Sequence, residues 1–419
     1  MPTQFLSIDS TLTRKAARYE VGMLADQITP SGSITDAFGR LRISTPHTLF
    51  DSQHRYVEND KWDTFTANGG SKTHIPIESA VNLTVTSTTN SEVIRESRRV
   101  MQYQPGKSLL IMSTFAMATP AIGLRQRVGY FGPTNGIFLE NDGTHNYFVL
   151  RSASLATEFR VRQDDWNVDK CDGSGLSDRT MDVTKTQIFW IDIEWLGVGD
   201  LRCGFVVNGR PTVAHIFHND NVRTTAYMTT ACLPLRYEIK NTNGSGGTMK
   251  QICSTVISEG GYDQITKQWA ATRSTTIAAT EVGTWVPVVS IRLASTRLDS
   301  IVIPSQVHIV GTGNNAIYEY GIFRNSTITG GNWETHSASG GAVEYNITST
   351  SISGGNVEDG GLFASSNQAA SLVNTQLGYV LDQQLGRSIA GVSDTVTLAA
   401  RALVTGGNVY GILNWNSVV

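Results

Sequence analysis

The chain has 419 residues, 40% of them hydrophobic; that is too long for one ordinary domain and apolar enough to bury two or three cores. Only 16% are charged, against roughly 25% in typical soluble domains, and the formal net charge is −3. This balance lacks the basic field with which proteins hold a phosphate backbone, so no nucleic-acid partner is expected. No run of about 18 apolar residues occurs, so no membrane insertion is expected. Met1–Ser10 has neither the basic start nor the apolar stretch of a signal peptide. Cys171, Cys203, Cys232 and Cys253 form no CxxC pair and have no His at ligand spacing. They are not a disulfide scaffold, and synthesis in a reducing cytoplasm is expected.

The missing charge is replaced by Gly, Ser, Thr, Asn and β-branched residues, and 40 glycines suit short strands and tight turns. The fold class read from this is all-β. Helical spacing is confined to Asp9–Ala25, through Leu12, Ala16, Tyr19 and Met23, and to Gln368–Leu377. Residues 1–45 hold little that could form a core. Within them Ile34–Ser44 reads as a turn followed by a strand with Leu41 and Ile43 on one face. This arm either packs onto another body or supplies a strand to the following sandwich.

The clearest strands come next. Ser108–Phe115 is an apolar run. Gly136–Glu140 and Tyr147–Arg151 flank Asn141-Asp142-Gly143-Thr144, a hairpin turn signal. Thr186–Leu196 and Leu201–Asn208 flank Gly197-Val198-Gly199-Asp200, and Asn208-Gly209 turns the chain into Thr212–Phe217. Such spacing predicts a β-sandwich or jelly roll. A boundary is placed near residue 262, at Ser258-Glu259-Gly260-Gly261-Tyr262, because residues 265–419 carry only 16 charges against 53 in the preceding 264. Beyond it Trp285–Leu293, Ser300–Val310, Ala316–Phe323, Ala342–Thr348 and Thr395–Val404 read as strands. Gly-Gly pairs at 330, 340, 354, 360 and 406 punctuate them. No fixed period appears, which disfavours a solenoid or propeller. The expected organisation is an arm (1–45), a central β-sandwich (46–262) and a C-terminal β domain (263–419), itself a sandwich.

Few constellations could carry chemistry. In Trp190-Ile191-Asp192-Ile193-Glu194-Trp195 the period of two puts Asp192 and Glu194 on one strand face. Retaining glycosidases use two carboxylates about 5 Å apart. Sugar-cleaving jelly rolls add a third acid on the same strand, where this chain has Trp190 and Leu196, so the pair is read as the outward acids of a half-exposed strand. His215 and His218 lie three apart on a strand and face opposite ways, without a third ligand. Asp165, Asn167 and Asp169 match alternate positions of a calcium loop within residues 164–173. Lys170 then replaces the required glycine and no Glu follows at the twelfth position, so these residues are read as turn caps. Nucleophile elbows, P-loops and dinucleotide fingerprints are absent. The eight tryptophans could stack on sugar rings, but most are read as core or interface anchors. No catalytic, cofactor-binding or metal-binding residue is assigned, and no cofactor is expected.

Asp36-Ala37-Phe38-Gly39-Arg40-Leu41-Arg42-Ile43-Ser44 followed by Thr48-Leu49-Phe50-Asp51-Ser52 resembles an N-terminal signature of virion structural proteins of tailed bacteriophages, many of them from cyanophages. Tyr103-Gln104-Pro105-Gly106-Lys107-Ser108, Gly129-Tyr130-Phe131 with Asn135-Gly136-Ile137-Phe138, and Asp165-Trp166-Asn167 continue the likeness. So do Lys185–Gly209, Leu233-Pro234-Leu235-Arg236-Tyr237-Glu238-Ile239 and Ile257–Gly261. It spans roughly residues 30–262. The strand, Gly-Val-Gly-Asp hairpin, strand and Asn-Gly turn are also similar to laminin-G or concanavalin-like sandwiches. The resemblance implies a non-enzymatic particle component located in the virion and assembled in the host cytoplasm, on the head, neck, baseplate or a fibre. Its partners would be itself, as a homo-oligomer with a trimer favoured, and other virion proteins of the capsid, neck or baseplate. An adhesin holding a host-surface glycan is the alternative, and a polysaccharide depolymerase using Asp192 and Glu194 is the third reading.

Overall fold

The computed structural model describes residues 43–418, apart from 155–157, 264, 337–340, 367–368, 371, 377–382 and 405. The chain divides into two compact units, Met1–Thr45 and Pro46–Val419. The helical spacing at Asp9–Ala25 and nearly all of the arm lie outside the described residues. Ile43, at the arm's end, is exposed and outside any strand.

From His47 to Ser258 the chain forms fifteen described strands: β1 His47–Ser52, β2 Trp62–Ala67, β3 Ser71–Ile75, β4 Ala80–Val85, β5 Glu92–Ser97, β6 Leu109–Ala116, β7 Leu124–Phe131, β8 Gly136–Asn141, β9 Asn146–Arg151, β10 Phe159–Arg162, β11 Gln187–Ile193, β12 Leu201–Val207, β13 Arg210–Phe217, β14 Leu235–Asn241 and β15 Gly247–Ser258. They pair in two antiparallel sheets. The first runs β13-β12-β11-β6-β15-β4-β3, with β1 also beside β15; the second runs β10-β9-β8-β7-β14-β5-β2. Local hairpins form the wings, and long crossovers insert β6 between β11 and β15 and β7 between β8 and β14. This is a jelly-roll or concanavalin-like sandwich.

Alternation decides which side chains enter the core. Along β7, Leu124, Val128 and Tyr130 point between the sheets and are fully buried, while Arg125 and Arg127 face outward. Phe148 of β9 stacks on Trp166 at 4.1 Å and faces Phe189 of β11 at 5.7 Å, which ties one sheet to the other. Each such ring contributes roughly 1.5–3 kcal/mol by leaving water. The β8–β9 turn forms where expected. Asp142 Oδ1 accepts the main-chain N–H groups of Thr144 at 2.9 Å and His145 at 2.8 Å. Gly143 has φ 96°, and a Cβ there would stand 2.0 Å from the carbonyl oxygen of Ala121.

The strands from residue 267 onward form separate sheets: β16 Lys267–Ala279, β17 Val286–Leu293, β18 Ile301–Gly311, β19 Ala316–Arg324, β20 Thr327–Thr329, β21 Glu334–Thr335, β22 Val343–Asn346, β23 Ser351–Ser353, β24 Asn356–Ser366, β25 Ala369–Ala370, β26 Leu372–Gln376, β27 Thr395–Ala402 and β28 Gly407–Val418. One sheet runs β21-β22-β17-β27-β19-β24-β25, a second β16-β28-β18-β26, and β20 pairs with β23 alone. Their core is separate from the first and centres on Val288, Ile291, Tyr318, Leu398, Leu413 and Trp415.

Two expectations are corrected here. Gln368–Leu377, with helical spacing, contributes β25 and β26, because the backbones of β24 and β18 offer it ladder partners. The Gly360-Gly361 pair is not a turn but lies inside β24, opposite Gly321 and Tyr320. A Cβ at Gly361 would meet the Tyr320 ring at 2.8 Å, so the glycine serves close packing.

The two sandwiches meet through polar contacts. Arg98 pairs with Asp394, and Arg387 with Glu96 at 2.9 Å and Asp299 at 3.1 Å. The main-chain N–H of Ile389 donates to Asp63 at 2.7 Å, and that of Arg387 to the carbonyl of Arg98 at 2.7 Å. Val100, Ile301 and Ile303 form a small apolar cluster across the junction.

Candidate functional site

The sequence pair Asp192 and Glu194 lines one recess of about 400 Å³. Asp192 is half-buried on the outward face of β11, between Leu110 of β6 and Arg202 of β12. Glu194 stands just past the strand end, exposed, with its main-chain N–H on the Asp200 carbonyl at 3.1 Å. A third carboxylate, Glu259, arrives from the end of β15, held by the Ser108 hydroxyl at 2.9 Å. It comes not from the same strand but from a residue 65 positions further along, where nothing local in the sequence marks it. Burial raises the Asp192 carboxyl above its ordinary value; Arg202, 3.6 Å away, opposes this, and Glu259 and Glu194 reinforce it. Lys107 and Tyr103 complete the wall, from the segment Tyr103–Ser108. Lys107 is engaged by Asp263 at 2.6 Å and Gln104 at 2.9 Å, and the Tyr103 hydroxyl accepts the Leu196 N–H at 3.2 Å. The recess thus holds three acids against two bases, each base already facing a carboxylate.

A larger recess of about 710 Å³ adjoins it and shares Tyr103 and Lys107. It lies where the sandwiches meet, with Cys232, Ile265, Asp299 and Val418 in its walls. All four cysteines are free. Burial pushes the Cys171 thiol up to about 12 and raises the other three as well, so none is an activated nucleophile.

The other sequence candidates are placed apart. His215 faces inward beside Phe217 at 4.5 Å, its Nδ1 accepts the Asn167 N–H at 3.2 Å, and burial lowers its pKa to about 4. His218 faces outward, 3.0 Å from Asp200. In the loop 164–173 the oxygens hold the main chain. Asp169 accepts from Cys171 at 2.8 Å and Ser177 at 2.7 Å, and Asn167 exchanges two bonds with Ile216, both at 2.9 Å. Among the described residues no group of three His, Cys, Asp or Glu could hold a metal ion.

Trp62, Trp166, Trp190 and Trp415 are buried. Trp195 is half-buried and donates to the Met228 carbonyl at 3.2 Å. The remaining three each lie under a cation: Lys267 is 4.0 Å from the Trp269 ring centre, Arg292 4.1 Å from Trp333 and Arg401 4.7 Å from Trp285. Each of those contacts covers one face of the ring.

The outward face of the second sheet carries an ionic ladder that the sequence did not reveal. Arg160 pairs with Glu140, and Glu140 with Arg127 at 2.6 Å; Arg127 reaches Glu238 at 3.3 Å. Glu238 also binds Arg236 at 2.9 Å, Arg236 binds Glu96 at 2.9 Å, and Glu96 binds Arg387 of the second sandwich.

No protein-family model matches the chain, and no curated protein matches it. Solved structures do. A β-glucanase of Bacillus licheniformis shares 13% identity at a TM-score of 0.32, over 49% of this chain and 96% of that one. A protein of unknown function from Shewanella oneidensis shares 9% at 0.34, over 63% and 100%. The carbohydrate recognition domain of Emp47p shares 11% at 0.33, over 54% and 99%. At these scores the matches carry no argument about activity, and the fold rests on the strand order given above.

Proposed function

We propose that the chain is a non-enzymatic structural component of a tailed-phage virion, a homo-oligomer attached to the particle through its N-terminal part and exposing the C-terminal β-sandwich, as a head decoration or fibre or a tail-associated fibre. What supports this is the role of the residues that carry the resemblance. Many of those on described segments are framework, although Lys107, Asp192, Glu194 and Glu259, which line the acidic recess, also fall within these stretches. Phe50 is buried in β1, and Ser52 accepts the Trp62 indole N–H at 2.7 Å. The Tyr130 hydroxyl donates to the Ala231 carbonyl at 2.8 Å and accepts the Leu233 N–H at 3.0 Å. Asn135 clamps Thr229 through two bonds, and Trp166 stacks on Phe148. A likeness carried by packing and turn-holding residues suits a protein whose work is mechanical. The cation contacts on Trp269, Trp285 and Trp333 cover one face of each indole in the C-terminal sandwich, which counts towards architecture over sugar stacking.

The test is proteomics of purified particles followed by localisation of the chain in a particle map. The expected outcome is a stoichiometric virion protein, and deletion of residues 1–35 is expected to leave soluble oligomers that no longer incorporate. Absence from purified particles would refute the reading; normal incorporation of the truncated chain would refute the anchor.

A further inference from the structure

Between the two sheets of the central sandwich, apart from both recesses, lies a group of buried polar side chains whose hydrogen bonding is incomplete even though Arg95 pairs with Glu58. Register places Arg95 of β5 between Thr64 of β2 and Tyr237 of β14, and places Gln251 of β15 between Val81 of β4 and Phe115 of β6. Val81, Phe115 and Tyr237 belong to the core, so both polar residues point inward. Arg95 crosses the gap. Its Nε–H donates to Gln251 Oε1, and its Nη1 donates to Glu58 at 2.6 Å and Thr64 at 2.7 Å. His54 closes the same end of the sandwich, its carbonyl oxygen 2.8 Å from the ring of His74 on β3. Arg95, Gln251 and His54 are all fully buried.

Three nitrogens of this group have no partner: Arg95 Nη2, Gln251 Nε2 and His54 Nε2. All three are donors. The Gln251 amide is oriented by Arg95, which holds its oxygen. His54 Nδ1 accepts the Asn59 N–H at 3.3 Å. Burial, aided by Arg95, lowers the His54 pKa to about 4, so the neutral ring carries its proton on Nε2. Of the unpaired oxygens nearby, Asn82 Oδ1 neighbours Val81 in sequence and faces the other side of β4, and the Ser113 hydroxyl of β6 lies on the inward face towards Tyr237. The cations Arg95 and Lys72 share the single carboxylate of Glu58; Asp63 adds a weaker field at Arg95. A water would accept two of these bonds and leave its own hydrogens to place; an ion that only accepts satisfies the donors without that cost.

We propose that His54 Nε2, Arg95 Nη2 and Gln251 Nε2 form a binding site for a small monovalent anion, a halide, held between the two sheets. The bound ion completes a bridge from β5 through Arg95 to β15 and to the segment that follows β1.

The test uses the full chain. Crystals soaked in sodium bromide and measured at the bromine edge are expected to show an anomalous peak within hydrogen-bonding reach of all three nitrogens. In solution, the melting temperature is expected to be about 2–6 °C higher with chloride at roughly ten times its dissociation constant than in sodium gluconate of equal ionic strength. Gln251→Glu places a fixed carboxylate against Arg95 Nε and Nη2 and removes the third donor. That variant is expected to fold and to melt at the same temperature in both salts. Water or empty space at the site in bromide, a wild-type melting temperature indifferent to chloride, or a Gln251→Glu protein that keeps the full chloride response would each overturn the proposal.

Discussion

Replacing Glu238 by Gln probes the ladder at its most connected point. The carboxylate is 4% exposed and accepts from Arg125 at 2.7 Å, Arg127 at 3.3 Å and Arg236 at 2.9 Å. Burial alone would raise its pKa; the three guanidiniums reverse that and hold it at about 2, against an ordinary 4.5. That depression corresponds to about 3 kcal/mol of stability. Because the folded value is the lower one, the contribution is complete above the unfolded pKa of 4.5 and disappears as pH falls towards 2. Gln keeps the shape and one acceptor but no charge, so Glu238→Gln is expected to cost about 3 kcal/mol at pH 7, with less than half of that difference surviving at about pH 3. Urea denaturation followed by tryptophan fluorescence, repeated from neutral to acid pH, measures both quantities. A loss below about 1 kcal/mol at pH 7, or a difference that stays constant down to pH 3, would refute the account of the ladder as a set of mutually required charges.

Four other outcomes are expected. His215→Phe should flatten the loss of stability between about pH 6.5 and 4, because a neutral buried imidazole with a folded pKa near 4 opposes protonation in that window; acid titration of the melting temperature reads this, and an unchanged slope contradicts it. Arg387→Ala removes one of two cations from the buried Glu96 and should split a single calorimetric transition into two, at a cost of about 1–3 kcal/mol; one unshifted transition would mean the junction is not ionic in origin. Gly361→Ala should cost at least about 1 kcal/mol by driving a methyl into the Tyr320 ring, and a melting temperature equal to wild type would rule out that contact. If the proposed virion role holds, Glu194→Gln should leave particle assembly and infectivity unchanged; discovery of a polysaccharide-cleaving activity that this change abolishes would sink the non-enzymatic reading.

What the sequence disclosed was local. β8–β9 and β11–β12–β13 were legible because each hairpin carries its turn chemistry within a few residues, as at Asp142-Gly143 and Asn208-Gly209. β16 is not legible because Lys267–Ala279 lacks clean alternation; it is a long outer strand with a bulge between Arg273 and Ile277. The arrival of Glu259 beside Asp192, and of Gln251 beneath Arg95, depends on crossovers that bring β15 next to β6, and no spacing rule reports such pairings. The outward Arg and Glu residues of β7, β8 and β14 look in sequence like an ordinary solvated face. Only the order β8-β7-β14-β5 shows that Glu140, Arg127 and Glu238 stand side by side, so that the charges also alternate across the strands.

Glu96 has one cation from each sandwich, and the stretch after it, Arg98 to Gln104, is where the second sandwich is held. The C-terminal sandwich is therefore not an interchangeable cassette. A recombination joint placed at the glycines near residue 260 would transfer the strands of a foreign C-terminal module but not the partners of Asp63, Glu96 and Arg98. Such a hybrid would keep two intact cores and lose their mutual orientation. Change in the C-terminal sandwich is accordingly expected to proceed by substitution in its turns and sheet faces, with Arg387, Ile389 and Asp394 retained, rather than by exchange of the whole module.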